Sequence, residues 1–184
     1  MVVTGAASGM GVIISQYWGK RQTEPIRRVF AVGFWISIIL SGVMSLVVWF
    51  KPYWVMGLLT NEQSIIPSGV EYLKIMVFSY LMFSISNSLL GVMRSVETVR
   101  IGFYISLSTL LINIFLNYAL IYGHFGAPEL GVKGAAYATL TSRAVEFLVS
   151  VIYCRLIDKK LRLKFKDIFA VKRNYIADFI RSGV

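Results

Sequence analysis

The stretch IGFYISLSTLLINIFLNYALIY, residues 101–122, decides the fold class because its 22 residues include no charged side chain. At about 1.5 Å per residue, a helix of this length crosses the roughly 30 Å hydrocarbon core of a bilayer. Residues 29–50 and residues 75–93 form two further runs without charge. A soluble chain of 184 residues has too small a core to cover three such helices. The sequence therefore predicts an all-α integral membrane protein.

Five apolar segments are interpreted as transmembrane helices. Unpaired backbone polar groups are too costly in lipid for any spanning structure except helices and closed barrels, and these runs are continuous rather than alternating. The predicted spans cover residues 1–18, 29–50, 72–93, 101–122 and 134–154. Together they make one membrane domain, residues 1–154, and a basic segment follows it, residues 155–184.

The distribution of charge predicts how the chain is oriented in the membrane. The net charge of +10 would suit a nucleic-acid-binding protein, but the basic residues are placed differently. Four follow the first span, two lie between the third and fourth, and nine follow the fifth, so fifteen fall on one side of the membrane. The opposite side holds three, Lys51, Lys74 and Lys133. Because basic loops stay inside the cell, the fifteen are predicted to be cytoplasmic.

This orientation makes the chain a multi-pass protein of the plasma membrane with a cytoplasmic tail, residues 155–184. The first span then enters the cytoplasm from outside, so we expect a preceding helix that this sequence lacks. The tail interleaves apolar residues such as Leu161 and Phe165 with its basic residues. It fits an amphipathic helix on the anionic inner leaflet or a cytoplasmic linker between two bundles, and the two interpretations are compatible.

Candidate catalytic residues and metal ligands are few. The single histidine, His124, is predicted to lie in a loop, and Cys154 has no second cysteine with which to form a disulfide or a metal cluster. Every acidic residue except Glu146 lies at the end of a span or in a connection. The sequence therefore predicts no enzyme, no cofactor and no metal centre, and the placement of the basic residues argues against a nucleic-acid partner.

Polar residues inside the spans are the candidate functional groups, because they are costly in lipid and usually face a bundle interior or a cavity. Asn113 and Asn117 share one helix face, where they could bind a small cation or polar solute, or form interhelical hydrogen bonds. Arg143 and Glu146 are three residues apart and form a predicted intramembrane ion pair, either a gate or proton-linked pair or a self-compensating structural pair. The hydroxyl residues of these spans are interpreted as packing residues: Ser106, Ser108, Thr109, Thr139, Thr141 and Ser142.

Two blocks in the last two spans resemble a known family. They are NIFLNYALIYG, residues 113–123, and PELGVKGAAYAT, residues 128–139. Less specific pieces agree with the same family: SQYWGKR at residues 15–21, YLKI at residues 72–75, and Arg94 after Gly91. Through essentially its whole length, the chain resembles the multidrug and toxic compound extrusion (MATE) transporters.

The resemblance implies a fragment of an N-terminal lobe. Members of the family have twelve helices in two six-helix lobes, and they export cationic or amphipathic compounds in exchange for sodium ions or protons. On this pattern the five spans correspond to helices 2–6, and residues 179–184 approach the seventh helix. Residues 155–184 would then link this bundle to a C-terminal lobe that the sequence lacks. The implied partners are the lipid bilayer, a small amphipathic or cationic substrate, and that second lobe.

The resemblance also implies a cation or substrate site at Asn113, Asn117 and Thr139. Some members bind a cation through an asparagine, an aspartate four residues later and a threonine of the sixth helix. Asn117 stands at the position of the aspartate and cannot titrate, which argues against proton coupling there. Two alternative functions stay open. A flippase for lipid-linked oligosaccharides or polysaccharides, from the same superfamily, would favour a strongly cationic cavity. The absence of a polar cavity would favour a non-transporting, truncated membrane protein.

Overall fold

The computed structural model describes the backbone of residues 2–157 and the side chains of residues 9–156. Within these limits all regular structure is helical. Six α-helices follow one another along the chain: α1 (Val2–Gly19), α2 (Thr23–Phe50), α3 (Pro52–Leu59), α4 (Ile66–Ser95), α5 (Val99–Tyr122) and α6 (Val132–Ile152). A 3₁₀ turn, His124–Gly126, lies between α5 and α6, and a π-helical turn, Tyr153–Ile157, follows α6.

The lengths and composition of the helices confirm the predicted class of all-α membrane protein. Four of the described helices are long and apolar enough to cross a membrane: Thr23–Phe50, Ile66–Ser95, Val99–Tyr122 and Val132–Leu156. The first predicted span coincides with α1, which has 18 residues and is not one of these four. Its glycines, serines and Gln16 lower its hydropathy. The predicted basic tail lies outside the described residues from residue 158 onward.

Charged first and last turns make α2 and α4 longer than the apolar runs that predicted them. Helix α2 begins at Thr23 rather than at residue 29, and Arg28 donates a 2.7 Å hydrogen bond to Glu24 one turn earlier. Such a pair, spaced i and i+4, stabilises the first turn of the helix. Helix α4 ends beyond its apolar run with Arg94 in the last turn, where a cation complements the helix dipole.

Helix α3 is a short element that the hydropathy pattern did not predict. It has eight residues, follows α2 directly after Lys51, and begins with Pro52, whose missing N–H is not needed in a first turn. It ends at Leu59, and the backbone N–H of the next residue, Thr60, donates to the carbonyl of Met56 at 3.0 Å. Eight residues are too few to show an amphipathic period in the sequence.

The chain divides into two compact units, each with its own apolar core. The first unit comprises the described parts of Met1–Leu40, Ser84–Ile105 and Phe147–Val184. Its core includes fully buried residues of α1, α2 and α4 and of the turn that follows α4: Met10, Ile14, Ile26, Val29, Phe30, Val92 and Val96. A Cβ atom at Gly33 would lie 2.6 Å from the sulfur of Met10, so a larger residue would require the Met10 side chain to move from this contact between α1 and α2.

The second unit comprises Ser41–Phe83 and Ser106–Glu146, and it contains the candidate site. Its core is smaller and involves α2, α3 and the N-terminal part of α4. It consists of Val48, Met56, Val70, Leu73 and Val77. Between α2 and α4, the hydroxyl of Ser41 donates to the carbonyl of Tyr80 at 2.7 Å. Between α5 and α6, a Cβ atom at Gly134 would collide with the backbone carbonyl of Leu120, so this glycine permits the close approach of the two helices that line the site.

Candidate binding cavity

Helices α5 and α6 enclose a polar cavity within the second unit. Its volume is about 400 Å³, and seven of its eight lining residues are polar or charged: Ser106, Thr109, Leu110, Asn113, Thr139, Ser142, Arg143 and Glu146. On each helix these residues recur at intervals of three or four, which places their side chains on one face. The volume is within the range of pockets that bind small molecules, roughly 300–1,000 Å³. Polar side chains at this depth of a spanning helix are expensive unless they face such a cavity.

The charged groups of the cavity form one ion pair. Nη1 of Arg143 donates to Oε2 of Glu146 at 2.6 Å, one helical turn along α6. The carboxylate is buried, with 7% of its side chain exposed, whereas 38% of the Arg143 side chain is exposed. The guanidinium carbon of Arg143 also lies 4.7 Å from the ring centroid of Phe83, on α4. Because an isolated carboxylate is too costly to bury, Glu146 depends on this arginine.

The two asparagines are hydrogen-bonded to each other. Nδ2 of Asn117 donates to Oδ1 of Asn113 at 2.9 Å, and both side chains are half-buried on α5. Asn113 lines the cavity, whereas Asn117 is not one of its lining residues. Across the cavity, the hydroxyl of Thr139 donates to the carbonyl of Ala135 at 2.9 Å, which leaves its oxygen lone pairs able to accept or to coordinate.

The structure therefore places four of the five predicted site residues around one cavity: Asn113, Thr139, Arg143 and Glu146. Asn117 stands one turn beyond Asn113 and is hydrogen-bonded to it. Sequence reasoning missed Ser106, Thr109 and Ser142 as lining residues, because hydroxyl residues in spans are as typical of packing as of a site. The signal that identifies two of them is the spacing of residues 106, 109 and 113 on one face of α5.

A second cavity in the same unit has a different character. Its volume is about 570 Å³, and aromatic and aliphatic residues dominate its lining: Trp49, Lys74, Ile75, Phe78, Tyr137 and Leu140. The rings of Trp49 and Phe78 meet edge to face with centroids 5.9 Å apart. With a single charged group and no pair of convergent polar groups, it offers less than the first cavity to orient a polar ligand.

Comparison with known proteins gives one family and one fold. A family model described as MatE matches residues 1–119. The fold is similar to a solved structure described as the inward-facing conformation of a multidrug resistance MATE family transporter of the MOP superfamily, with a TM-score of 0.85 and 21% identity. An outward-facing structure with the same description and a MOP superfamily transporter from Pyrococcus furiosus Vc1 each give a TM-score of 0.84 at 21% identity.

The matches cover nearly all of this chain and a minor part of the matched proteins. Each of the three structural matches covers 98% of this chain. They cover 40%, 39% and 39% of the solved chains, in the same order. The chain therefore spans about two fifths of the length of the structures that it matches.

Proposed function

Because this chain belongs to the MatE family, we propose that it forms one lobe of a secondary-active efflux transporter, a cation-coupled antiporter for amphipathic or cationic compounds. The observation that carries the proposal is the polar cavity of about 400 Å³ between α5 and α6. Secondary transporters bind substrate and coupling ion near the bilayer midplane and expose the site to each side in turn as one bundle moves against the other. A second lobe supplies the other wall in this proposal.

Asn113 and Thr139 bind the coupling ion in this proposal. Both residues line the same cavity, their side chains carry an amide oxygen and a hydroxyl oxygen, and hard cations prefer oxygen ligands. Asn117 fixes the orientation of Asn113 through their hydrogen bond. Uncharged oxygens such as these can bind sodium as the coupling ion. A coupling proton would have to be bound by a carboxylate, and Glu146 is the one carboxylate among the lining residues of this cavity.

Two features of the cavity weigh against the alternative functions. A flippase for pyrophosphate-linked lipids would favour a strongly cationic cavity, but Arg143 is the one basic residue among the lining residues, and Glu146 offsets its charge. A non-transporting membrane protein needs no polar cavity inside its bundle. The placement of the basic residues supports a plasma-membrane location with the fifteen basic residues facing the cytoplasm.

Ion binding by the purified chain tests the assigned residues. In lipid nanodiscs, we expect the chain to bind ²²Na⁺ by scintillation proximity, and we expect Asn113→Leu or Thr139→Val to weaken binding about tenfold, the loss of one ligand in a low-dielectric site. Thr141→Val is the matched control, because Thr141 is exposed and is not among the lining residues. Sodium binding that neither cavity variant weakens would contradict the assignment.

Transport tests the proposal that the chain is one lobe. In proteoliposomes that contain this chain alone, we expect no sodium-driven or proton-driven efflux of a cationic dye such as ethidium, since one wall of the alternating-access cavity is missing. Efflux by the chain alone at a rate that depends on the ion gradient would contradict the one-lobe proposal. Sodium binding is measured on the same preparation and shows that the chain is folded, so that absence of efflux is not a consequence of misfolding.

A further inference from the structure

Arg143 is a cation whose geometry is fixed before any ligand arrives. One edge of its guanidinium contacts the carboxylate of Glu146 at 2.6 Å, and its plane lies 4.7 Å from the ring centroid of Phe83. A guanidinium has five N–H donors in a planar fork, and the hydrogen bond to Glu146 uses one of them. In the described part of the chain, no other hydrogen bond from this guanidinium is present. Its remaining donors are therefore available to a ligand.

The exposed fractions of the two partners decide which charge a ligand meets. The Glu146 side chain is 7% exposed and the Arg143 side chain is 38% exposed, and both residues line the cavity. The positive charge is therefore the more accessible of the two. The other polar lining residues are uncharged, namely Ser106, Thr109, Asn113, Thr139 and Ser142. A ligand that enters the cavity consequently meets a cation as its principal electrostatic contact.

A carboxylate is the group that best complements this cation. The planar fork of an arginine matches the two oxygens of a carboxylate in a bidentate contact, and such charge-assisted hydrogen bonds are about twice as strong as neutral ones. Since Phe83 and Glu146 already restrict the guanidinium, binding sacrifices little side-chain entropy. A ligand whose only charge is positive has no such contact and meets the exposed guanidinium as a like charge.

We propose that Arg143 selects the ligand of this cavity, and that the ligand class is an amphiphile bearing a carboxylate, such as a zwitterion, rather than a compound with positive charge alone. This rests on the proposed function and narrows its substrate class. Glu146 is the positioning residue in this proposal, because it orients the guanidinium and lowers the cost of its charge in the membrane. Phe83 supports one face of the same group.

Two dyes that differ by one methyl group test the proposal directly. Rhodamine 110 carries a free carboxylate and is a zwitterion, and rhodamine 123 is its methyl ester and a cation. Their affinities are measured by fluorescence anisotropy on the full chain in nanodiscs of phosphatidylcholine, a lipid without net charge. We expect the chain to bind rhodamine 110 about tenfold more tightly than rhodamine 123, the scale of one charge-assisted contact.

Two variants assign the preference to Arg143. Arg143→Gln, which keeps a donor for Glu146, is expected to weaken the binding of rhodamine 110 about tenfold, and to leave the binding of rhodamine 123 unchanged or to strengthen it, because a like charge is removed. Glu146→Gln leaves the cavity with a net positive charge and is expected to strengthen rhodamine 110, a gain that a lost structural contact would not produce. Arg100→Gln is the matched control, since Arg100 is exposed near the beginning of α5 and outside the cavity. Circular dichroism and gel filtration monitor folding of each variant.

The outcomes separate this inference from the proposed function. Equal binding of both dyes, or a preference that persists in Arg143→Gln, overturns the inference and leaves the proposed transporter lobe intact. Loss of the preference in Glu146→Gln also overturns it. If wild-type chain binds sodium but neither dye, the inference fails while the ion-binding assignment stands. If it binds neither sodium nor dye, both fail.

Discussion

Asn117 donates a 2.9 Å hydrogen bond to the side-chain oxygen of Asn113, one turn earlier on the same helix, and only Asn113 lines the cavity. The bond fixes which end of the Asn113 amide is the acceptor. It also holds the Asn117 side chain next to that of Asn113, so that a charge at residue 117 would act on a cation bound by Asn113. A carboxylate at residue 117 would add a negative charge one turn from Asn113, which lines the cavity.

We therefore expect Asn117→Asp to increase the affinity of the chain for ²²Na⁺ by about tenfold, because a unit charge at short range in a medium of low dielectric contributes at least that much. The measurement is scintillation proximity binding in nanodiscs. Asn61→Asp adds the same charge at an exposed residue of the segment between α3 and α4 and is the control. Equal sodium affinity in Asn117→Asp and wild type would show that residue 117 does not act on the cavity.

Removal of Arg143 should destabilise the chain through Glu146. In Arg143→Leu the buried carboxylate loses its partner, so we expect a loss of about 2–4 kcal/mol in the free energy of unfolding. The double variant Arg143→Leu/Glu146→Leu should recover most of that loss, because it removes both charges. Unfolding in detergent, followed by tryptophan fluorescence in a double-mutant cycle, measures the coupling. Additive losses from the two single variants would mean that the pair contributes no mutual stabilisation.

Gly134 should tolerate no side chain. An alanine Cβ would collide with the backbone carbonyl of Leu120, which cannot rotate away, so we expect Gly134→Ala to lower the free energy of unfolding by about 1–3 kcal/mol. At Gly42, inside α2, no heavy atom lies within 4 Å of an added Cβ. Gly42→Ala is therefore expected to stabilise the chain by about 0.5–1 kcal/mol. Opposite signs for the two variants in thermal unfolding would verify the close approach of α5 and α6.

Two serines one turn apart on α2 should respond differently to alanine. Both are buried, but the hydroxyl of Ser41 donates to the carbonyl of Tyr80, whereas the hydroxyl of Ser37 has no hydrogen-bond partner in the described part of the chain. We expect Ser41→Ala to lower the free energy of unfolding by about 1 kcal/mol. We expect Ser37→Ala to leave the free energy of unfolding unchanged or to raise it by about 0.5 kcal/mol. Thermal unfolding of the two variants is the measurement, and equal losses would contradict the assignment of hydrogen bonds.

The uninterrupted apolar runs predicted the long helices because hydropathy is a property of consecutive residues. The ends were less predictable, since α2 continues to Thr23 through a pair of charges, Glu24 and Arg28, that satisfy each other. Helix α3 left no periodic signal in eight residues. These differences arise from local pairing and helix capping, which an average over an apolar window does not register.

The candidate site was predictable to the extent that its residues are costly in lipid. Asparagines and ion pairs inside a span usually face a cavity or the interior of the bundle, so Asn113, Arg143 and Glu146 could be chosen from the sequence. Ser142 could not, because a serine in a span satisfies its own hydroxyl on the preceding turn, as Ser142 does with the carbonyl of Ala138 at 2.8 Å. Whether such a residue faces a cavity depends on which helix faces meet, and that is a property of the tertiary structure.

The ion pair of Arg143 and Glu146 also affects the net charge that the cavity of the proposed transporter would carry across the membrane potential. Carrying one elementary charge across a membrane potential of 100 mV involves about 2.3 kcal/mol, whereas a closed ion pair moves with zero net charge. With Arg143 and Glu146 in contact, a cavity that holds a zwitterionic substrate would cross the field without that cost, and a cavity that holds one sodium ion would carry one charge. In the assembled transporter we expect voltage to act on the sodium-loaded step alone. In Glu146→Gln the substrate-loaded cavity would itself carry a charge, so the membrane potential would act on that step as well, which current recordings on solid-supported membranes can detect.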